Sequence, residues 1–120
     1  MTVNTRPSGA SIRERVVGKP TAQGDPFLAP FFETAIEHVW GGLWNRPGLE
    51  LKYRSLVVVS VLAATGVDNA ELKTHLRGAL NTGSTREEVD TVLALVEVDL
   101  PPERALKIWE LWADVRARNL

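Results

Sequence analysis

The chain carries two histidines, His38 and His75, and no cysteine. Any side-chain proton transfer near neutral pH therefore falls first to one of two imidazoles. His75 follows Glu71 by four residues in the run Asp68-Asn-Ala-Glu71-Leu-Lys-Thr-His75. On a helix that spacing sets both side chains on one face, where the carboxylate can orient the imidazole and raise its basicity. The same two residues have plainer readings. Glu71 is the third residue of a capping box opened by Asp68, and His75 is then an exposed helical histidine. On composition alone these plainer readings come first. His38 lies one turn after Thr34, beside Val39-Trp40. With Glu33, Glu37 and Glu71 it offers oxygen and imidazole donors. The spacings are not those of the Glu-x-x-His pairs in di-iron bundles, so no metal site is expected.

The candidate anion anchors are Arg46, Arg54 and Arg77. Arg54 stands just before a strongly apolar stretch. A guanidinium at the mouth of an apolar pocket can hold a carboxylate through two parallel hydrogen bonds. The plainer reading is a surface arginine in the first turn of a helix. Trp40 and Trp44 can wall a pocket for a small cyclic substrate, or simply fill a core or an interface. No glycine-rich phosphate loop, nucleophile elbow or zinc motif occurs. The lack of cysteine excludes disulfides, thiolate metal sites, iron–sulfur clusters and thiol redox chemistry. Fourteen basic residues against fifteen acidic ones leave no cationic surplus for a nucleic-acid backbone.

These side chains must be positioned by a small scaffold. The chain has 120 residues, of which 44% are hydrophobic and 24% charged, the balance of one globular domain. Residues 1–10, with Pro7 and Gly9, read as a flexible arm, and residues 11–120 as the domain. Ser11-Ile-Arg-Glu14 reads as a capping box for a short helix stopped by Gly18, with a loop from Lys19 to Pro30. Phe31, Phe32, Ala35, Ile36, Val39 and Trp40 recur at helical spacing, and Gly41-Gly42 ends or bends that helix. Asn45-Arg-Pro-Gly48 is a turn.

From Leu49 to Ala64 a helix is expected whose second half is apolar almost all round. Such a helix is buried on most sides, at a bundle centre or a subunit contact. A strand over Leu56–Val59 competes, because valine is β-branched, but the apolar stretch is too long and no hairpin partner follows. Boxes at Asp68 and Thr85-Arg-Glu-Glu88 open helices to about Leu80, with Gly83 at the cap, and to about Val98. Pro102 suits the first turn of a last helix, whose Ala105, Ile108, Trp109, Trp112 and Val115 share a face. The class is all-α, with about six helices. The first twenty residues lack a secretory apolar core, and Leu56–Ala64 is too short to span a bilayer. A soluble cytoplasmic protein that binds neither membrane nor nucleic acid is expected.

Set in order, Trp40-Gly-Gly-Leu-Trp44-Asn-Arg46-Pro-Gly-Leu49, Arg54-Ser-Leu56, Glu71-Leu-Lys-Thr-His75-Leu-Arg77-Gly-Ala79 and Asn81-Thr-Gly-Ser-Thr85 form a pattern. It resembles the carboxymuconolactone decarboxylase family, and most closely its γ-carboxymuconolactone decarboxylase branch, over roughly Ile12 to Val98. The resemblance implies an all-α subunit of the alkylhydroperoxidase D-like type. It also implies assembly into a homo-oligomer, a trimer or hexamer, with a cofactor-free site between helices near a subunit contact. The implied reaction is loss of carbon dioxide from a small carboxylated unsaturated lactone or related cyclic acid. The lactone carbonyl accepts the electrons as a dienolate, so neither metal nor pyridoxal is required. In that site His75 donates the proton and Glu71 orients it. Arg54, with Arg46, binds the anion, while Trp40, Trp44 and His38 line the substrate pocket.

The sister alkylhydroperoxidase D-like branch carries a C-x-x-C pair whose positions here are Asp68 and Glu71, so its thiol relay is gone. One further segment departs from the family. Leu93-Ala-Leu-Val-Glu-Val-Asp-Leu-Pro-Pro102 replaces a stretch that ends like Y-x-G-x-P, with a preceding polar residue at the active site. Ala94 or Leu95 takes the polar position, and Glu97 and Asp99 are new. A pocket with that wall changed also suits an isomerase or cyclase using the same histidine, or a non-catalytic oligomeric binding member.

Overall fold

The computed structural model describes residues 8–18 and 24–118. Most of the expected arm, and residues 19–23 of the expected loop, lie outside them. The described residues are helical with short connections, an all-α architecture.

Helix α1 spans Gly9–Val17 and starts one turn before the expected box. Ser8 is the cap, its Oγ accepting the Ser11 amide at 3.1 Å. Two serines three residues apart compete for the same role, and the earlier one wins because Gly9 must already be helical. A Cβ on Gly9 would lie 2.3 Å from the Ile36 carbonyl oxygen and 2.8 Å from the Gly41 nitrogen. Glycine here permits backbone-to-backbone approach.

A 3₁₀ turn, Pro26–Leu28, is capped by Asp25 and leads into α2, Ala29–Ala35. The chain therefore turns helical before Pro30. It continues without a break as a π-helical segment, Ile36–Leu43. The Trp44 amide closes this segment by donating to the Val39 carbonyl at 2.8 Å. Gly41-Gly42 lies inside it, contrary to the expected stop. Gly41 serves the contact with Gly9, so its lack of a side chain is used for packing.

Helix α3, Leu51–Thr65, ends at Gly66 in the left-handed region, with φ +66. Its last carbonyls have a partner that local sequence does not announce. Arg104 donates from Nε to the Ala63 oxygen at 3.0 Å and from Nη2 to the Leu62 oxygen at 3.1 Å. A cation at a helix C-terminus also suits the macrodipole. Helices α4 (Asn69–Asn81), α5 (Arg86–Glu97) and α6 (Pro102–Arg118) follow closely the expected bounds. The Thr85–Glu88 box forms both of its bonds, each at 3.0 Å.

The core lies among α3, α4, α5 and α6. Val59, Leu72, Leu76, Val89, Leu93, Ile108 and Val115 surround Trp112, whose indole N–H donates to Asp90 at 2.6 Å. Each such aliphatic side chain contributes about 1.5–3 kcal/mol when buried. Helix α1 adds Ile12 and Val16. It is clamped to α4 where Gly78 meets Val16 and where Asn81 donates to the Val16 carbonyl at 2.9 Å. The apolar character of α3 is only half used within the chain. Ser55, Val59 and Ala63 are buried, while Tyr53, Val57 and Val61 form an exposed stripe on its other side.

Candidate active site

Helix α4 brings Glu71 and His75 to one face, and that face opens into a cavity of about 590 Å³. Trp40, Ile36 and Phe32 come from the α2–π unit, and Arg13 and Val17 from α1. The loop before α2 contributes Asp25. The π-helical segment sets Trp40 and Trp44 in register. Their rings stack with centroids 4.8 Å apart, and the Trp44 ring lies 5.8 Å from that of His75 at 17°. Trp40 lies 6.3 Å from His75 at 12°. The imidazole thus belongs to a stack of nearly parallel rings.

Histidine 75 is not the exposed helical residue that composition favoured. It is 7% exposed. Its Nε2 lies 3.4 Å from Glu71 Oε2, and its Nδ1 is buried without a hydrogen-bond partner. A carboxylate only accepts, so the neutral ring carries its hydrogen on Nε2, toward Glu71. Protonating Nδ1 would place an N–H in a dry position that offers it no acceptor. Burial accordingly holds the His75 pKa below the ordinary 6.5, and the Glu71 carboxylate offsets part of that shift.

Glu71 explains half of a missing capping box. Asp68 Oδ1 accepts the Glu71 amide at 3.1 Å. The return bond, which Glu88 makes at Thr85, is absent at Asp68, where Glu71 turns to His75 instead. Its side chain stays 57% exposed, so the pair connects the buried ring to water.

The structure separates the expected arginines from this cavity. Arg54 donates from Nε to the Leu49 oxygen and from Nη1 to the Leu43 oxygen, each at 2.6 Å. It thereby pins the turn that follows Trp44. Arg46 and Arg54 line two shallower pockets that share Trp44. His38 is exposed and is not part of the cavity wall.

The altered stretch from Leu93 to Pro102 also lies elsewhere. Leu93 is core, Leu95 is exposed, and Glu97 accepts the Trp109 indole N–H at 2.9 Å. Within the subunit, the changed segment is not a wall of this cavity. Sequence reasoning missed Arg13. The signal was faint: Arg13 and Val17 share a helix face adjacent to the apolar pair Ile12 and Val16. Among the described residues, no group of three or more histidine, aspartate or glutamate side chains is arranged to hold a metal ion. No described helix is long and apolar enough to cross a membrane.

The geometry is that of an all-α chain with a histidine–carboxylate pair beneath stacked tryptophans, and sequence comparison supplies the family. Residues 29–114 match the model of the carboxymuconolactone decarboxylase family, and the chain belongs to that family. It is 33% identical over 90 residues to a 4-carboxymuconolactone decarboxylase of Acinetobacter baylyi, covering 71% of this chain and 66% of that protein. It is 35% identical over 86 residues to a nitrosuccinic acid decarboxylase of Metarhizium robertsii, covering 68% of this chain and 59% of that protein. The matched part therefore spans just under two thirds of the first relative and about three fifths of the second.

Proposed function

We propose that the protein is a cofactor-independent carboxy-lyase acting on a small carboxylic acid in the Trp40–His75 cavity. The observation that carries this reading is the buried His75 paired with Glu71 beneath two tryptophans. Both relatives named above are decarboxylases. Their substrates share a carboxylate placed near a group that can hold electrons, a lactone carbonyl in one and a nitro group in the other.

Decarboxylation breaks the carbon–carboxylate bond and leaves its electron pair in that neighbouring group. One proton must then reach carbon for the product to form. His75 supplies it. The free enzyme holds the ring neutral, but an anionic substrate beside it favours the imidazolium. The proton enters through Glu71, which touches both water and the ring. Glu71 acts as the orienting residue and Trp40 as a pocket wall, with Trp44 stacked against Trp40 and the His75 ring. Arg54 works one step removed, by fixing the turn behind Trp44.

The chain is further read as an oligomer, trimeric or hexameric. The exposed Tyr53, Val57 and Val61 stripe, on a helix whose second half is apolar almost all round, supports a contact with a second copy. Sedimentation equilibrium checks this, and a monomer at micromolar concentration would overturn it.

The deciding assay offers 4-carboxymuconolactone and nitrosuccinic acid separately and follows carbon dioxide release. Turnover of either, lost in a folded His75→Ala variant, is the expected result. Turnover without carbon dioxide would turn the reading to an isomerase or cyclase. Full activity in His75→Ala would remove the histidine from the mechanism.

A further inference from the structure

The cavity is acidic along its described lining, with Asp25, Glu33 and Glu71 in its walls. A carboxylate entering it meets repulsion unless one cation compensates. Among the described lining residues that cation is Arg13.

Several of the other basic groups are committed elsewhere. Arg54 holds backbone carbonyls, Arg104 caps α3, and Lys52 and Lys73 pair with Glu88 and Asp114. Arg13 has no hydrogen bond or ion pair with any described residue. The backbone that carries it is nonetheless fixed. The backbone of α1 is pinned one turn before it by the Gly9–Gly41 contact, and one turn after it by Gly78 and Asn81 against Val16. A planar guanidinium held on a rigid helix, facing a cavity and unpaired, is suited to bidentate capture of a carboxylate.

We propose that Arg13 is the specificity-determining residue of this cavity and anchors the carboxylate that the substrate keeps. The inference rests on the decarboxylase reading for which carboxylate is kept, but not for the binding itself. An arginine paired with the departing carboxylate would stabilise the charge that has to leave, and that pairing would weaken toward the transition state. An anchor on a second carboxylate holds ground and transition states alike. It sets affinity without opposing the chemistry. Arg13 lies on α1, outside the family match at residues 29–114. The family-matched part thus supplies His75 and Glu71, and the preceding helix selects what is presented to them.

The test begins with succinate as the probe, measured by isothermal titration calorimetry on the full chain, with succinamide as the uncharged control. Wild type binds succinate and not succinamide. Arg13→Gln weakens succinate binding by about tenfold to a hundredfold, the range of a lost charged hydrogen bond. Arg13→Lys recovers part of it, as a point charge without the fork. Arg54→Gln weakens binding far less than Arg13→Gln does, because Arg54 lies outside the cavity and acts only through the turn behind Trp44. The Arg13 variants should melt within a few degrees of wild type, because Arg13 has no partner to lose among the described residues.

Equal succinate binding by wild type and Arg13→Gln, or no binding by wild type, would overturn the proposal. With a substrate that turns over, Arg13→Gln raises KM while kcat holds. A rise in kcat together with KM would place Arg13 on the departing carboxylate, and a fall in kcat with KM unchanged would place it on a group that gains charge in the transition state; either result would overturn the anchor. Arg13-dependent binding of succinate without turnover of any offered acid would leave the anchor standing and remove the decarboxylase reading instead.

Discussion

The α3–α6 half of the subunit and the half formed by α1 with the α2–π unit are held together by different means. In the first, large side chains interdigitate around Trp112, helix ends are capped by Thr85 and Arg104, and buried indole nitrogens find carboxylates. In the second, Ile12 and Val16 are the fully buried hydrophobics among the described residues, while Phe27 and Phe31 remain open to solvent. Close backbone approach at Gly9–Gly41 and Gly78–Val16 replaces side-chain packing there. The cavity lies on the seam. The Glu71–His75 pair, proposed above as its acid–base pair, stands on the strongly packed α4, and its aromatic and cationic walls stand on the lightly packed side. Tight packing is thus concentrated where the proposed proton transfer takes place. The wall that shapes the ligand can vary at small cost to the fold.

Variants on each side should separate these roles. The largest effect is expected at the acid–base pair, where His75→Ala should lower kcat by about 10²- to 10⁴-fold with the melting temperature little changed. Next comes the centre of the packed half. Trp112→Ala should cost about 3–5 kcal/mol in urea unfolding, while molecules that remain folded keep their turnover. A smaller stability loss on the other side should do more to activity. Gly9→Ala forces a Cβ against the Ile36 carbonyl and should cost about 1–3 kcal/mol. Because α1 and the π-helical segment must part, Arg13 and Trp40 shift, and turnover per folded molecule should fall well below that of Trp112→Ala. Equal turnover in the two variants would break the comparison. Arg54→Gln should cost about 1 kcal/mol from its lost bonds to the turn. Its effect on substrate affinity should be smaller than that of Arg13→Gln.

The smallest effects are in pH. The folded His75 pKa lies below 6.5, so the unfolded chain binds more protons just below that value. The His75 contribution to stability is therefore full above about pH 6.5 and is lost as pH falls through the folded value. A His75→Gln variant should lose that slope in denaturant titrations. Catalysis runs the other way. If the imidazolium is the acid, kcat/KM declines as pH rises through the same lowered pKa. Glu71→Gln removes the charge that props the pKa up, so it should move that limb to still lower pH.

The sequence by itself determined the helices and their class. Capping residues, prolines and apolar spacing act within a few positions, which is why α4, α5 and α6 begin and end close to where Asp68, Thr85 and Pro102 direct them. It also determined that Glu71 and His75 share a face, because helical period alone requires it. The choice between equivalent local signals was settled from a distance. Ser8 rather than Ser11 caps α1, and Gly41 packs rather than terminates, because two backbones cross at Gly9. Tertiary structure alone decided that His75 is buried, that Arg13 enters its cavity, that Arg54 is spent on the turn behind Trp44, and that Glu97 meets an indole. A helix pattern states which residues lie on a common face. What that face meets depends on elements far away in the chain, and desolvation, which sets the charge state of His75, depends on all of them together.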